Sequence, residues 1–318
     1  MEVPLFLDST EIVDSFAEAF SMRYSRIVVT AMDKHWLASA AQAFCGYGCS
    51  VIGCDAEVGV ESWLEPSQTV DGRPGMSILI FGFSAQAVEK ALVNRSGQCL
   101  MTCPTTAVFD GLPESSFSDL RGYERIKLGD QLRYFGDGYQ KSKIIGDRRV
   151  WRVPVMDGEF VIEDQVGVAK GIGGGNFLIL TVNQIEGLNA ARRAIEEIQN
   201  IPGVITPFPG GVVRSGSKVG SKYPKLMAST SDGYCPTLKG KVTSQLPDSV
   251  QCVYEIVIDG IDEKSIEEAM TKGIQIVAGN QVHSISAGNY GGKLGKFHFH
   301  LRPLLSSDPA ISAEILDG

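Results

Sequence analysis

CVYEIVID (252–259) followed by DEKSIEEAMTK (262–272) decides the fold. The first segment alternates as a strand. Cys252, Tyr254, Ile256 and Ile258 point one way, and Val253, Glu255, Val257 and Asp259 the other. Both faces are largely apolar, as in a strand covered on both sides. The second segment has the spacing of a helix. Working towards the N-terminus, NFLILTV (176–182) predicts another strand and QIEGLNAARRAIEEIQ (184–199) an amphipathic helix. A short strand begins at Val204–Thr206, before a turn rich in Pro and Gly.

The first half shows the same plan. YSRIVVTA (24–31) predicts a strand. DKHWLASAAQAF (33–44) predicts a helix, with Trp36, Leu37, Ala40 and Phe44 at helical spacing, Asp33 as N-cap and Gly46 as stop. Cys49–Cys54 and Met76–Phe83 predict strands, and SAQAVEKALVNR (84–95) a helix capped by Ser84. The plan recurs after roughly 150 residues. Two strand–helix–strand units per half predict an α+β fold of the split βαβ type used twice, with antiparallel sheets packed with helices. Asp157-Gly158, flanked by 151–156 and 159–163, signals a hairpin at the join. The expected lobes are therefore 1–154 and 155–318, the latter ending in a loose tail after residue 305.

Composition narrows the function. The chain of 318 residues has 37 acidic and 29 basic side chains, a net charge of -8. No stretch concentrates Lys and Arg, which argues against nucleic acid as partner. No apolar run approaches the ~18 residues that cross a bilayer. Residues 1–20 carry Glu2, Asp8, Glu11, Asp14 and Glu18, unlike a secretory signal, so a cytoplasmic protein is expected. Seven cysteines, with no C-x-x-C pair, speak against a disulfide framework and against zinc or iron–sulfur ligation. Most of them are expected to act as small buried hydrophobes.

Several loops are rich in Gly and Pro: TCPTTAVFD (102–110), YFGDGY (134–139), GIGGGN (171–176), ITPFPGGVVRSGSKVG (205–220) and SISAGNYGGKLGK (284–296). They favour binding over a purely structural role. GIGGGN precedes a strand and has Asn176 where a dinucleotide fingerprint needs its third glycine. No G-x-x-x-x-G-K-[ST] loop is present. His298 and His300 share a strand face, but solvated neighbours account for them better than a metal does, so no metal site is assigned. His35 and His283 do not complete a nucleophile–base pair.

Glu255 breaks the apolar pattern of its strand. It is either a structural ion pair or a strand end reaching solvent, or else a carboxyl kept neutral by burial. A neutral carboxyl donates a hydrogen bond at neutral pH and can stabilise an oxyanion in acyl transfer. The pattern alone leaves these alternatives open.

The blocks DSFAEAF (14–20), GCSVIGCDAEVGVE (48–61), DGRPG (71–75), GQCLMTCPTTAVFD (97–110), FGDGY (135–139), GVITPFPGGVV (203–213), SGSKVG (215–220), CPTLKG (235–240), YEIVIDG (254–260) and SAGNYGGKLGK (286–296) occur in that order. In them the chain closely resembles the formylmethanofuran:tetrahydromethanopterin formyltransferases, from about Asp14 to Leu305. The resemblance implies two ferredoxin-like lobes and an acyltransferase of one-carbon metabolism, at work in methanogenesis and methylotrophy. It implies no prosthetic group; methanofuran and tetrahydromethanopterin serve as coenzyme substrates in a ternary complex. It implies a homodimer or homotetramer. The family's catalytic glutamate falls on Glu255 through the YEIVIDG motif.

Candidates for substrate contact are Thr105 and Thr106, Phe208 as an aromatic platform, Ser217 and Lys218, and Asn289, Tyr290 and Lys293 of the last glycine loop. The two lysines suit the acidic groups of both coenzymes. A non-catalytic methanofuran-binding subunit of a formyltransferase/hydrolase complex is the alternative, and a folate-type formyltransferase a weaker third.

Overall fold

The computed structural model describes residues 4–119, 121–279 and 281–306. It divides into two compact units, Met22–Gly171, and Met1–Ser21 with Ile172–Gly318. Each has a ferredoxin-like sheet.

In the unit 22–171, the central strand is the part of Phe16–Thr30 from Arg23 onward. It lies between Gly75–Gly82 and Ala107–Asp110, antiparallel to both, and Glu57–Leu64 adds outside Gly75–Gly82. Helices α1 (Lys34–Cys45) and α2 (Ala85–Arg95) cover one face. Asp33 caps α1 by accepting from the backbone N–H of His35 and Trp36, and Ser84 caps α2 at Ala87. Ile27, Val29, Ile78 and Ile80 of the sheet pack with Leu37, Phe44, Val88 and Leu92 of the helices. The hairpin Arg148–Val155 with Gly158–Glu163 extends the sheet, its second strand parallel to Ala107–Asp110.

The other unit repeats this order. The central strand is the part of Gln165–Thr181 from Ile172 onward. It lies between Cys252–Gly260 and Val282–Ser286, with Val204–Ile205 outside Cys252–Gly260. Helices α3 (Gln184–Ile198) and α4 (Glu263–Val277) cover one face, capped by Asn183 and Asp262. Phe177, Ile179, Ile256, Ile258 and Ile285 pack beneath them. Here too a hairpin extends the sheet: Thr10–Ile12 runs parallel to Val282–Ser286, and Leu5–Leu7 pairs with Thr10–Ile12.

Four expectations change. GIGGGN is not a loop: it lies inside the continuous strand Gln165–Thr181. Its glycines carry a bulge, with Gly174 at φ +100° and the register shifting between Gly173 and Gly175. Cys49–Cys54 is a turn, and the strand begins only at Glu57. In the mid-chain hairpin Val155 pairs with Gly158, so the two turn residues are Met156 and Asp157. Six cysteines are partly exposed and only Cys252 is buried, because most sit in turns and helix ends rather than in strands. Of the expected tail, Ser306 ends a short helix, Leu301–Ser306, and 307–318 lie outside the described residues. No described helix is long and apolar enough to cross a membrane.

Candidate active site

Glu255 sits mid-strand on the face of Cys252–Gly260 away from the helices, whose inward residues are Ile256 and Ile258. Its backbone is fully engaged. Val213 N–H donates to Glu255 O at 2.8 Å, and Glu255 N–H donates to Val213 O at 3.0 Å. On its other side Glu255 lies opposite Leu178. Since both of its peptide groups go to Val213, this is a non-hydrogen-bonded pair, the kind that brings side chains closer. Leu178 belongs to an apolar cluster with Leu180, Leu246 and Val250, to which Val253 and Tyr234 add.

The carboxyl of Glu255 thus lies in apolar surroundings, with a partial opening to solvent. Burial pushes its pKa up from 4.5 to about 7. Among the described residues no hydrogen bond or ion pair reaches it, and burial is the sole cause of the shift.

Other buried carboxylates are held differently. Glu18 accepts four backbone N–H groups, from Tyr290 and Gly292 on one oxygen and from Leu294 and Gly295 on the other, at 2.6–2.8 Å. Glu163 accepts from Arg148 at 2.9 Å and from Asp110 N–H at 2.8 Å. The unit 22–171 offers a direct comparison. Val28 stands five residues before the cap Asp33, as Leu178 stands five before the cap Asn183, and opposite Val28 lies Ser77. There the face is neutralised: Ser77 donates to Glu61 at 2.6 Å, and Glu61 pairs with Arg26 at 2.6 Å. In the equivalent position Glu255 has no such partner.

Two residues that the sequence did not mark as site residues, Asn176 and Gly288, frame Glu255. Asn176 is 6% exposed, and its carboxamide grips Gly288: Oδ1 accepts from Gly288 N–H at 2.6 Å, and Nδ2 donates to Gly288 O at 3.0 Å. A Cβ added at Gly288 would stand 3.4 Å from Glu255 Oε1. Bare backbone therefore forms the wall beside the carboxyl.

The remaining candidates are distributed as follows. Asn289 follows Gly288 directly and donates to Phe16 O at 3.2 Å. Tyr290 gives its N–H to Glu18 and packs against Phe20, while Lys293 is exposed on the same loop. Phe208 is half-buried and caps a short 3-10 turn. Ser217 is exposed, and Lys218 pairs with Asp232. Thr105 and Thr106 belong to the unit 22–171. Thr105 adopts φ +66°, its N–H donating to Asp157 at 2.9 Å, and the Thr106 hydroxyl is buried on Leu100 O at 2.5 Å.

No nucleophile–base pair stands near Glu255 among the described residues. His283 and Ser284 are within 3.2 Å, but the serine is buried. His298 and His300 are exposed and pack on Phe16. Burial raises the pKa of the Cys45, Cys49, Cys99, Cys103 and Cys252 thiols, Cys45 to about 12, so they stay protonated. A neutral carboxyl beside an apolar wall can stabilise negative charge developing on a substrate oxygen.

The chain matches known proteins over nearly its whole length. The family model described as formylmethanofuran-tetrahydromethanopterin formyltransferase matches residues 5–155, and the model of its proximal lobe matches 158–304. A relative of that name from Methylococcus capsulatus is 50% identical over 95% of this chain and all of its own. One from Methanocaldococcus jannaschii is 47% identical over 94% of this chain and 99% of its own. The solved formyltransferase of Methanosarcina barkeri superposes with a TM-score of 0.87, at 45% identity, over 96% of this chain and all of that one. The solved formyltransferase/hydrolase complex of Methylorubrum extorquens with methylofuran contains a chain matching at a TM-score of 0.90 and 44% identity, over 95% of this chain and 99% of that one. By its two matched lobes and its full-length relatives, the chain belongs to the formylmethanofuran–tetrahydromethanopterin formyltransferase family.

Proposed function

We propose that the chain moves a formyl group reversibly between N-formylmethanofuran and tetrahydromethanopterin, with Glu255 as the donor that stabilises the oxyanion. The observation that carries the role of Glu255 is its partnerless carboxyl, pushed by burial to about 7. A ring nitrogen of the pterin attacks the formyl carbon, forming a C–N bond and a tetrahedral intermediate. The carbonyl oxygen takes on negative charge and accepts the Glu255 hydrogen bond. The C–N bond to methanofuran then breaks, and the proton lost by the attacking nitrogen ends on the departing amine. Neither a prosthetic group nor a covalent enzyme intermediate enters the scheme. Holding both substrates in line supplies a further share of the rate.

The test is a spectrophotometric formyl-transfer assay of purified protein with both coenzymes. Glu255→Ala is expected to lower kcat by about 100- to 1000-fold, the usual loss of one oxyanion donor. Glu255→Gln keeps an N–H donor and retains more activity than Glu255→Ala. Wild-type kcat falls as pH rises through the titration of Glu255, whereas that of Glu255→Gln stays flat. Equal activity of Glu255→Ala and wild type removes the proposal.

We further propose a cytoplasmic homodimer or homotetramer that also works within a formyltransferase/hydrolase assembly. A relative from Methylorubrum extorquens, 45% identical, is named as one component of a formyltransferase/hydrolase complex, which supports this reading.

A further inference from the structure

The strand Val282–Ser286 runs beside Gln165–Thr181 in register, with Ser286 opposite Leu178. Continued in register, Gly288 would face Asn176 and pair with it through the backbone. The strand ends before this, and the Asn176 side chain takes the place of the missing peptide. Its Oδ1 accepts from Gly288 N–H at 2.6 Å, and its Nδ2 donates to Gly288 O at 3.0 Å and to Gly174 O at 3.1 Å. Glu18 N–H donates to the same Gly288 O at 3.2 Å, and Ser15 Oγ holds Ala287 O at 3.2 Å.

The carboxamide engages these three backbone groups, and no hydrogen bond joins Asn176 to Glu255, although its Oδ1 lies 3.2 Å from a Gly288 Cβ position that is itself 3.4 Å from Glu255 Oε1. A polar side chain next to a catalytic carboxyl usually solvates it. Here it is fixed on backbone groups instead. The loop beyond is anchored as well, through the four N–H groups on Glu18.

We propose that Asn176 is a positioning residue: by clamping the Gly288 backbone it builds a wall whose polar groups are already paired, which keeps the Glu255 carboxyl without a protein partner and leaves room beside it for the formyl oxygen. This rests on the function of Glu255 proposed above. Gly288 suits the wall because any side chain there would intrude on that room. Asn176 is required because an apolar residue of its size leaves the Gly288 peptide unpaired, and the wall then opens to water.

The experiment compares wild type, Asn176→Ala, Gly288→Ala, Glu255→Ala and Glu255→Gln as full-length proteins. It measures kcat, KM for each coenzyme, and the Glu255 titration by infrared difference against Glu255→Gln. Releasing the wall in Asn176→Ala is expected to hydrate the carboxyl. Its titration moves down by about one pH unit, a tenfold change in proton affinity. At neutral pH kcat falls by about 10- to 100-fold, the scale of a small misplacement. KM changes little, and lowering the pH restores much of the rate.

Gly288→Ala keeps the clamp and crowds the room. It lowers kcat on the same scale without a downward shift of the titration, and it carries the test should Asn176→Ala fail to fold. An unmoved Glu255 titration in folded Asn176→Ala, or an unchanged kcat in Gly288→Ala, overturns the positioning role. Failure of the underlying reading looks different: Glu255→Ala then keeps wild-type activity whatever Asn176 does.

Discussion

Glu255 and Glu18 are buried carboxylates of one unit tuned in opposite directions. For Glu18, burial raises the pKa, but the backbone N–H groups of Gly295, Leu294, Tyr290 and Gly292 together outweigh it and hold the carboxyl below its ordinary 4.5. Its stabilising contribution is complete above that value and fades as pH falls through the lowered one. Glu255 is the reverse. The folded protein keeps a proton that the unfolded chain releases between 4.5 and about 7, so stability declines as pH rises across that window, and the loss is complete above about 7. At 1.36 kcal/mol per unit the shift amounts to ~3 kcal/mol, and the partial opening to solvent reduces this to ~2 kcal/mol. Glu255→Gln, always neutral, is therefore expected to melt about 4 °C above wild type at pH 8 and nearly together with it at about pH 4, below the unfolded-chain value, as read by calorimetry. A variant that is more stable and less active marks a carboxyl kept for function at the expense of stability. Coincident melting curves at pH 8 would remove the idea that Glu255 is a destabilised group.

At the scale of elements, the helices were legible because capping and period are local signals. Asp33 and Ser84 cap α1 and α2 as their sequence positions predict. Glu255 stood out for a similar reason, since a carboxylate in mid-strand breaks a period-2 apolar pattern, but that pattern left its role open between an ion pair, a solvated strand end and a neutral donor. The Asn176–Gly288 clamp was not, because its partners are 112 residues apart and only strand register joins them. GIGGGN misled because glycine usually means a turn, whereas here it serves packing. A Cβ on Gly175 would stand 2.4 Å from Ile266 Cγ2 of α4, so this strand must be bare for the helix to lie flat on it. Gly175→Ala is expected to cost about 1–3 kcal/mol by overpacking, measured as a lower urea midpoint. Gly53→Ala, with nothing within 4 Å of its Cβ, should leave that midpoint in place. If the two variants unfold alike, the close approach of α4 is not what the glycine serves.

Over the whole molecule, sequence period and compact units divide the chain differently. The family models part between 155 and 158, in the turn of the mid-chain hairpin. The compact units part at 21/22 and 171/172. The reason is that the hairpin preceding each long strand joins the sheet of the other half of the chain: Thr10–Ile12 lies along Val282–Ser286, and Gly158–Glu163 along Ala107–Asp110. Such pairing was not legible in the sequence, because three-residue strands such as Leu5–Leu7 and Thr10–Ile12 carry no pattern of their own and their partners are remote. It has a consequence for fragments. A chain ending at 154 loses Phe160, Ile162, Val166 and Val168, all fully or nearly buried in the core beneath α1 and α2. At about 1.5–3 kcal/mol for each large apolar side chain, the loss is ~6–12 kcal/mol, as large as the net stability of a typical domain. The fragment 22–171 keeps these residues and the parallel pairing of Val161 and Ile162 with Ala107 and Val108. It is expected to unfold cooperatively in denaturant, while 1–154 gives a broad transition and poorly dispersed amide resonances. A cooperative 1–154 would show that the mid-chain hairpin is dispensable to that core.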